Sequence, residues 1–157
     1  MEGIPSGARP AARVLLIRED DCLLLLEARD RSNDHRWWVA PGGGLEPGES
    51  FAAAASRELL EETGMILPIG PWVWTRRHLY SFEGRRFDQY ERYFVVRGAV
   101  ETKIVPTEPD SYVVGNRWWS LAAIESASDD FTPRQLAKLL PAVLRGEYPD
   151  PAIDCGA

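Results

Sequence analysis

Three carboxylates, Glu58, Glu61 and Glu62, stand at i, i+3 and i+4 in a segment rich in helix formers. At 3.6 residues per turn that spacing gathers them on one narrow helix face. Like charges so placed repel, and the macrodipole disfavours negative charge toward a helix C-terminus. A hard divalent cation offsets both costs, because Mg²⁺ takes oxygen ligands and keeps waters that a substrate phosphate can displace. Three glutamates alone would read as a solvated helix face, and Gly42-Gly43-Gly44 alone as a turn. Together they set a run of residues without Cβ atoms, open to close approach by a metal or a phosphate, just ahead of an acidic helix.

The joint spacing is more specific. From Gly43 to Met65 the chain runs GGLEPGESFAAAASRELLEETGM, with Gly43, five residues, Glu49, seven residues, Arg57-Glu58-Leu59, one residue, Glu61-Glu62, one residue, and Gly64-Met65. This resembles the box of the Nudix hydrolase family, G-x5-E-x7-R-E-U-x-E-E-x-G-U with U apolar, at every fixed position. The resemblance implies an α/β fold, a Nudix-type α/β/α sandwich with a mixed β-sheet between helices. It implies Mg²⁺ as cofactor, with Mn²⁺ as a substitute. It also implies hydrolysis of a diphosphate linkage in a nucleoside-diphosphate-linked small molecule.

By the same resemblance Glu61 and Glu62 are metal ligands, and Glu58 is a further ligand or the base acting on water. The backbone carbonyl of Gly42 or Gly43 is another ligand, and Glu49 and Arg57 orient the others. The family often adds a glutamate from a loop beyond the sheet, and Glu108 is the candidate. A bound ion would neutralise phosphate charge and acidify a water, leaving positioning and electrostatics to the protein.

The substrate is less legible. Trp72, Trp74, Tyr80, Phe82, Phe87, Tyr90 and Tyr93 make an aromatic middle that serves either a core or base stacking. Arg77, Tyr80 and Phe82 are the candidate substrate contacts, with Arg76 and His78 beside them. Tyr80 lies sixteen positions beyond Gly64, where a tyrosine resembles dinucleoside polyphosphate hydrolases and a proline would resemble ADP-ribose hydrolases. Dinucleoside polyphosphates or nucleoside triphosphates are therefore favoured over ADP-ribose. The alternatives are a non-catalytic nucleotide-binding module on the same fold, or an isomerase. The intact box weighs against the first, and the absence of a well-placed cysteine weighs against the second.

The elements that must position these groups follow from pattern. Ser50 is an N-cap and Gly64 a C-terminal stop for a helix over 51–63. Its docking stripe is expected at Phe51, Ala52, Ala55 and Leu59, with Arg57 reaching back to Glu49. The apolar runs Ala11–Ile17 and Cys22–Leu26 suggest a hairpin, 28–36 an exposed loop, and Trp37-Trp38-Val39 a short strand. Trp72–Phe82 and Phe87–Arg97 suggest a second hairpin turning at Glu83-Gly84. A long loop is expected over 98–112 and a strand over Asn116–Ser120. A final helix should follow Thr132 as N-cap, with Pro133 at N1 and Leu136, Leu139, Leu140, Val143 and Leu144 at helical spacing. Trp118, Trp119 and that helix would close the core or, if exposed, support a homodimer. Residues 1–10 and 147–157 read as irregular tails of a single domain spanning 1–157.

The bulk numbers agree. A chain of 157 residues, 45% hydrophobic and 27% charged, suits one globular domain. A net charge of −6 speaks against nucleic-acid polymers and anionic membranes as partners, though a bound cation can still bring in an anionic small molecule. Two widely spaced cysteines form no zinc pattern or disulfide framework. With no signal-like start and no long apolar run, the expected setting is the cytoplasm.

Overall fold

The computed structural model describes residues 3–99, 103–108 and 110–156. The run Ala11–Ile17 belongs to β1 (Arg9–Arg18), whose alternate side chains sink into opposite cores. Leu15 and Ile17 face one side, while Ala12, Val14 and Leu16 face the other. A strand covered on both faces needs no polar alternation, which is why it reads as one apolar run. β2 (Leu23–Asp30) meets β1 antiparallel at Ile17 and Leu23, after which the two strands diverge.

Two short strands fill the opening between them. β3 (His35–Val39) follows β2, and β4 (Gly42–Gly44) follows β1, both antiparallel. Ala40 and Pro41 cross from one to the other, so the glycine segment is carried into the mouth of the split sheet. β5 (Trp72–Phe82) and β6 (Arg85–Ala99) form the second hairpin, and β6 runs parallel to β1. β7 (Val113–Trp119) lines the other edge of β2. With β8 (Phe131–Thr132) beside β3 and β9 (Ile153–Asp154) beside β5, the order is β8-β3-β2-β1-β6-β5-β9.

Helices cover both faces. α1 (Phe51–Thr63) lays Phe51, Ala54, Ala55 and Leu59 on one core, and burying a leucine such as Leu59 contributes about 1.5–3 kcal/mol. α2 (Leu121–Ser126) and α3 (Leu136–Leu144) cover the other with Ile124, Leu136, Leu140 and Val143. The result is the α/β/α layering expected of the sequence. Trp119 is buried beneath α2 and α3, whereas Trp118 packs on the α1 side with the Arg18 guanidinium 4.8 Å above its ring. No helix among the described residues is long and apolar enough to cross a membrane.

α1 has the predicted limits. Ser50 Oγ accepts from the Ala53 amide at 3.1 Å, and Gly64 closes the helix at φ 78°. Its stripe differs by one position: Ala54 is buried and Ala52 exposed, since Ala54 lies one turn before Glu58 on the sheet-facing side.

Several other expectations need correction. The loop over 28–36 is a continuation of β2, a four-residue turn and the start of β3. Its polar residues serve the turn: Asp30 accepts from Ser32, and Asn33 from the His35 amide. Strand β7 begins three residues earlier than predicted, at Val113. Thr132 is not an N-cap, because pairing with Val39 claims it for β8, and α3 begins only at Leu136. α2, capped by Ser120, is too short for periodicity to reveal. The tail is partly ordered, with Ile153 and Asp154 paired to β5 and Cys155 buried. Residues 1–2 of the expected arm, 100–102 and 109 of the expected loop, and 157 of the tail lie outside the described residues.

Candidate metal centre and active site

β4 and α1 meet so closely that a side chain on Gly43 would displace the Glu58 carboxylate. A Cβ on Gly43 would stand 2.5 Å from Glu58 Oε1 and 2.9 Å from its Cδ. At Gly42, with φ 153°, a Cβ would collide with the Ala12 carbonyl oxygen. The Gly42 amide donates to Glu62 Oε1 at 3.0 Å. Helix carboxylates are thus set directly against the strand.

Glu58 and Glu62, one turn apart, are joined by Asp110 from the segment preceding β7. Oxygen atoms of the three lie within 4.8 Å of one another. Glu58 is 7% exposed and Glu62 3%. Burial, then the Glu58 carboxylate alongside, push the Glu62 carboxyl up to about 9. Desolvation, followed by the same Glu58 charge, also raises Asp110. Two buried carboxylates and one at the surface, gathered this closely, form an all-oxygen donor set matched to a hard divalent cation. The residues present therefore fit a hard divalent cation, which Glu58, Glu62 and Asp110 would hold.

Arg57 ties the preceding loop to the helix. Its Nε and Nη2 form a fork on Glu49, each at 2.9 Å, and Nη2 also donates to the Gly44 carbonyl at 3.0 Å. Nη1 donates to Glu58 Oε1 at 3.0 Å and to Glu61 Oε2 at 3.2 Å. The hydrogen bonds to Glu49 are the main cause of its raised basicity, and Arg57 in turn lowers the Glu49 carboxyl. One guanidinium so fixes the loop, the glycine strand and two box carboxylates.

Of the residues singled out in the sequence, Glu58, Glu62, Gly42 and Gly43 come together at the cluster, with Arg57 and Glu49 bracing them. Glu61 lies to the side on Arg57, outside the tight group. Glu108 is beside Glu61, its amide donating to the Glu61 carbonyl at 3.0 Å, and it is likewise outside that group. The Gly42 carbonyl accepts from Arg13 Nη1 at 3.2 Å.

Tyr80 stacks between His78 and Phe87, with ring centroids at 4.7 and 5.2 Å. Phe82 meets Trp37 and Tyr112 edge-on. Arg77 points to the opposite face of β5, where it pairs with Asp88 at 2.8 Å. Burial, then the Arg76 charge, lower His78 to about 4, so its imidazole is neutral at neutral pH.

Two features escaped sequence reasoning. Asp110 carries no spacing signal, being one acid in an irregular segment two positions beyond Glu108. The second is a buried ionic group of Arg13, Arg76, Gln89 and Glu91, centred on Glu91. Its signal was available, since Arg13 interrupts the apolar run of β1 and Glu91 stands in an aromatic strand.

Comparison with known proteins agrees with the fold. A family model described as the NUDIX domain matches residues 7–142. The chain belongs to that family. It is 33% identical over 118 residues to diphosphoinositol polyphosphate phosphohydrolase 3-beta of Bos taurus, covering 72% of this chain and 63% of that protein. It is 36% identical over 87 residues to the nucleoside triphosphatase NudI of Escherichia coli O1:K1 / APEC, covering 51% and 61%. To Nudix hydrolase 25 of Arabidopsis thaliana it is 44% identical over 66 residues, covering 42% and 36%. The matched region thus spans under two thirds of each relative's length.

Among solved structures, a C. elegans Ap4A hydrolase in a binary complex superposes with a TM-score of 0.65 at 22% identity, covering 88% of this chain and 99% of that one. The MutT protein from Methanosarcina mazei Go1 gives a TM-score of 0.64 at 20% identity, covering 91% and 97%. At those identities the likeness establishes the fold.

Proposed function

We propose that the protein is a Mg²⁺-dependent pyrophosphohydrolase that cleaves a diphosphate linkage in a nucleotide-like small molecule. Nucleoside triphosphates and dinucleoside polyphosphates are favoured over ADP-ribose. The observation that carries this reading is the convergence of Glu58, Glu62 and Asp110 within 4.8 Å against a strand with no side chains. Held by Glu58, Glu62 and Asp110, a divalent ion would supply charge neutralisation for phosphate oxygens and a more acidic water.

The chain's own groups do the positioning. Glu62 is oriented by the Gly42 amide and Glu58 by Arg57, so neither carboxylate searches rotamers when substrate arrives. Glu61, within reach of Arg57 and of Glu108, serves as a further ligand at the rim. The glycine strand lets a phosphate approach the backbone closely. Neutral His78, at one end of its stack with Tyr80 and Phe87, offers a flat, uncharged surface to a base, which favours a nucleotide over a densely charged cyclitol.

The test is product analysis after incubation with Mg²⁺ and a panel of substrates. The panel holds nucleoside triphosphates, oxidised nucleotides, dinucleoside polyphosphates, ADP-ribose, nucleotide sugars and a diphosphoinositol polyphosphate. Turnover of a nucleotide class, lost in Glu62→Gln, supports the reading. Turnover of the inositol compound alone would overturn the substrate assignment, and silence across the panel with metal bound would overturn the activity.

A further inference from the structure

Arg13 is 9% exposed on the central strand, between apolar neighbours. Its Nε donates to Glu91 Oε2 at 2.7 Å, and its Nη1 to the carbonyls of Ala40 and Gly42, both at 3.2 Å. The intervening Pro41 carbonyl accepts from the Val14 amide at 2.8 Å. Three successive carbonyls, at Ala40, Pro41 and Gly42, are therefore tied to β1. Glu91 is held in turn by Arg76 Nη1 at 2.7 Å, Gln89 Nε2 at 2.9 Å and the Tyr93 hydroxyl at 3.3 Å.

We propose that Arg13, anchored by Glu91, is a positioning residue that fixes the Ala40–Gly42 crossing and, through the Gly42 amide, the Glu62 carboxylate of the metal cradle. The proposal rests on the reading of Glu58, Glu62 and Asp110 as that cradle. The connection is continuous from Glu91 through Arg13 and both sides of the Gly42 residue to Glu62.

Fold stability does not account for an arginine here. Buried ion groups are weak stabilisers at best, and an apolar residue would continue the β1 run. Arg13, Arg76 and Glu91 also bury one more positive charge than negative. What an apolar residue at 13 could not do is hold two carbonyls of the crossing. Groups behind metal ligands commonly shift metal affinity by about 10–100-fold.

The test is direct titration of Mn²⁺ into the substrate-free protein by calorimetry, with circular dichroism and thermal melting alongside. Arg13→Met suits it, because Glu91 keeps Arg76 as partner and no lone charge is stranded. Arg13→Lys is the second variant, keeping the charge but losing the fork. The expected result is Mn²⁺ binding weakened about 10–100-fold in the folded variants. A purely structural Arg13 would lower the melting temperature and leave Mn²⁺ affinity within twofold of wild type, which would overturn the proposal. If the wild-type protein itself binds no Mn²⁺, the cradle reading fails first, and this inference with it.

Discussion

Gly43 and Glu58 are in such close register that a single added methyl carbon on the glycine would sit 2.5 Å from the carboxylate oxygen. The strand has no side chain there because the helix carboxylate occupies the space one would need. That relationship ties the glycine run to the acidic helix as two halves of one site, and it can be tested by substitution.

Gly43→Ala forces Glu58 aside while leaving the strand pairing with β1 possible. Displacements of about 1 Å cost on the order of 10²-fold in rate at a positioned site. Turnover is expected to fall by about that factor, with a smaller loss of melting temperature. Steady-state kinetics beside thermal melting check this, and unchanged turnover would show that Glu58 is free to move.

Arg57→Lys keeps a positive charge but cannot fork onto Glu49 while also reaching Gly44 and Glu58. A 10–100-fold loss of kcat, with KM less affected, is the expectation. Full activity in the lysine variant would mean that charge alone suffices.

Tyr80 and Arg77, both read from the sequence as substrate contacts, lie on opposite faces of β5. If the stack of His78, Tyr80 and Phe87 carries a base, Tyr80→Ala, which removes its middle ring, should raise KM about tenfold or more with little change in kcat. Arg77→Ala removes only an exposed, solvent-screened pair with Asp88 and should leave KM within twofold. The reverse pattern would place the substrate on the other face.

Glu91 makes the fold sensitive to acid. Burial pushes its carboxyl up, but Arg13 and Arg76 outweigh that and hold it at about 2. Because this value lies below the ordinary one of 4.5, its contribution is fully present above pH about 4.5. It is lost as pH falls toward about 2. Glu91→Gln should be less stable at neutral pH and show a shallower stability loss across that window. Denaturant unfolding at a series of pH values measures it, and parallel curves for the two proteins would refute it.

How much of this was legible in the sequence depended on how local each signal was. The Ser50 cap, the Gly64 stop and the spacing of Arg57, Glu58 and Glu62 lie within one helix, so the sequence carries them openly. The hairpin turning at Glu83-Gly84 is similarly local. Asp110 was not legible, because only the path of a loop brings it to Glu58, and Glu108 has equal chemical standing until that path is known. Thr132 carried a misleading local signal: it resembles an N-cap, but pairing with Val39, distant in sequence, claims it. Arg13 was visible as an interruption of an apolar strand and Glu91 as an acid among aromatic residues, yet their partnership depends on a parallel pairing between β1 and β6 that no short window contains.

The most direct measurement is turnover of a nucleoside triphosphate and a dinucleoside polyphosphate as Mg²⁺ is titrated, in wild type and in Glu62→Gln. The prediction is hydrolysis that requires Mg²⁺ and falls at least about 100-fold in a variant that remains folded. Equal hydrolysis by both proteins, or hydrolysis unaffected by removing Mg²⁺, would contradict a metal-dependent site built on Glu62.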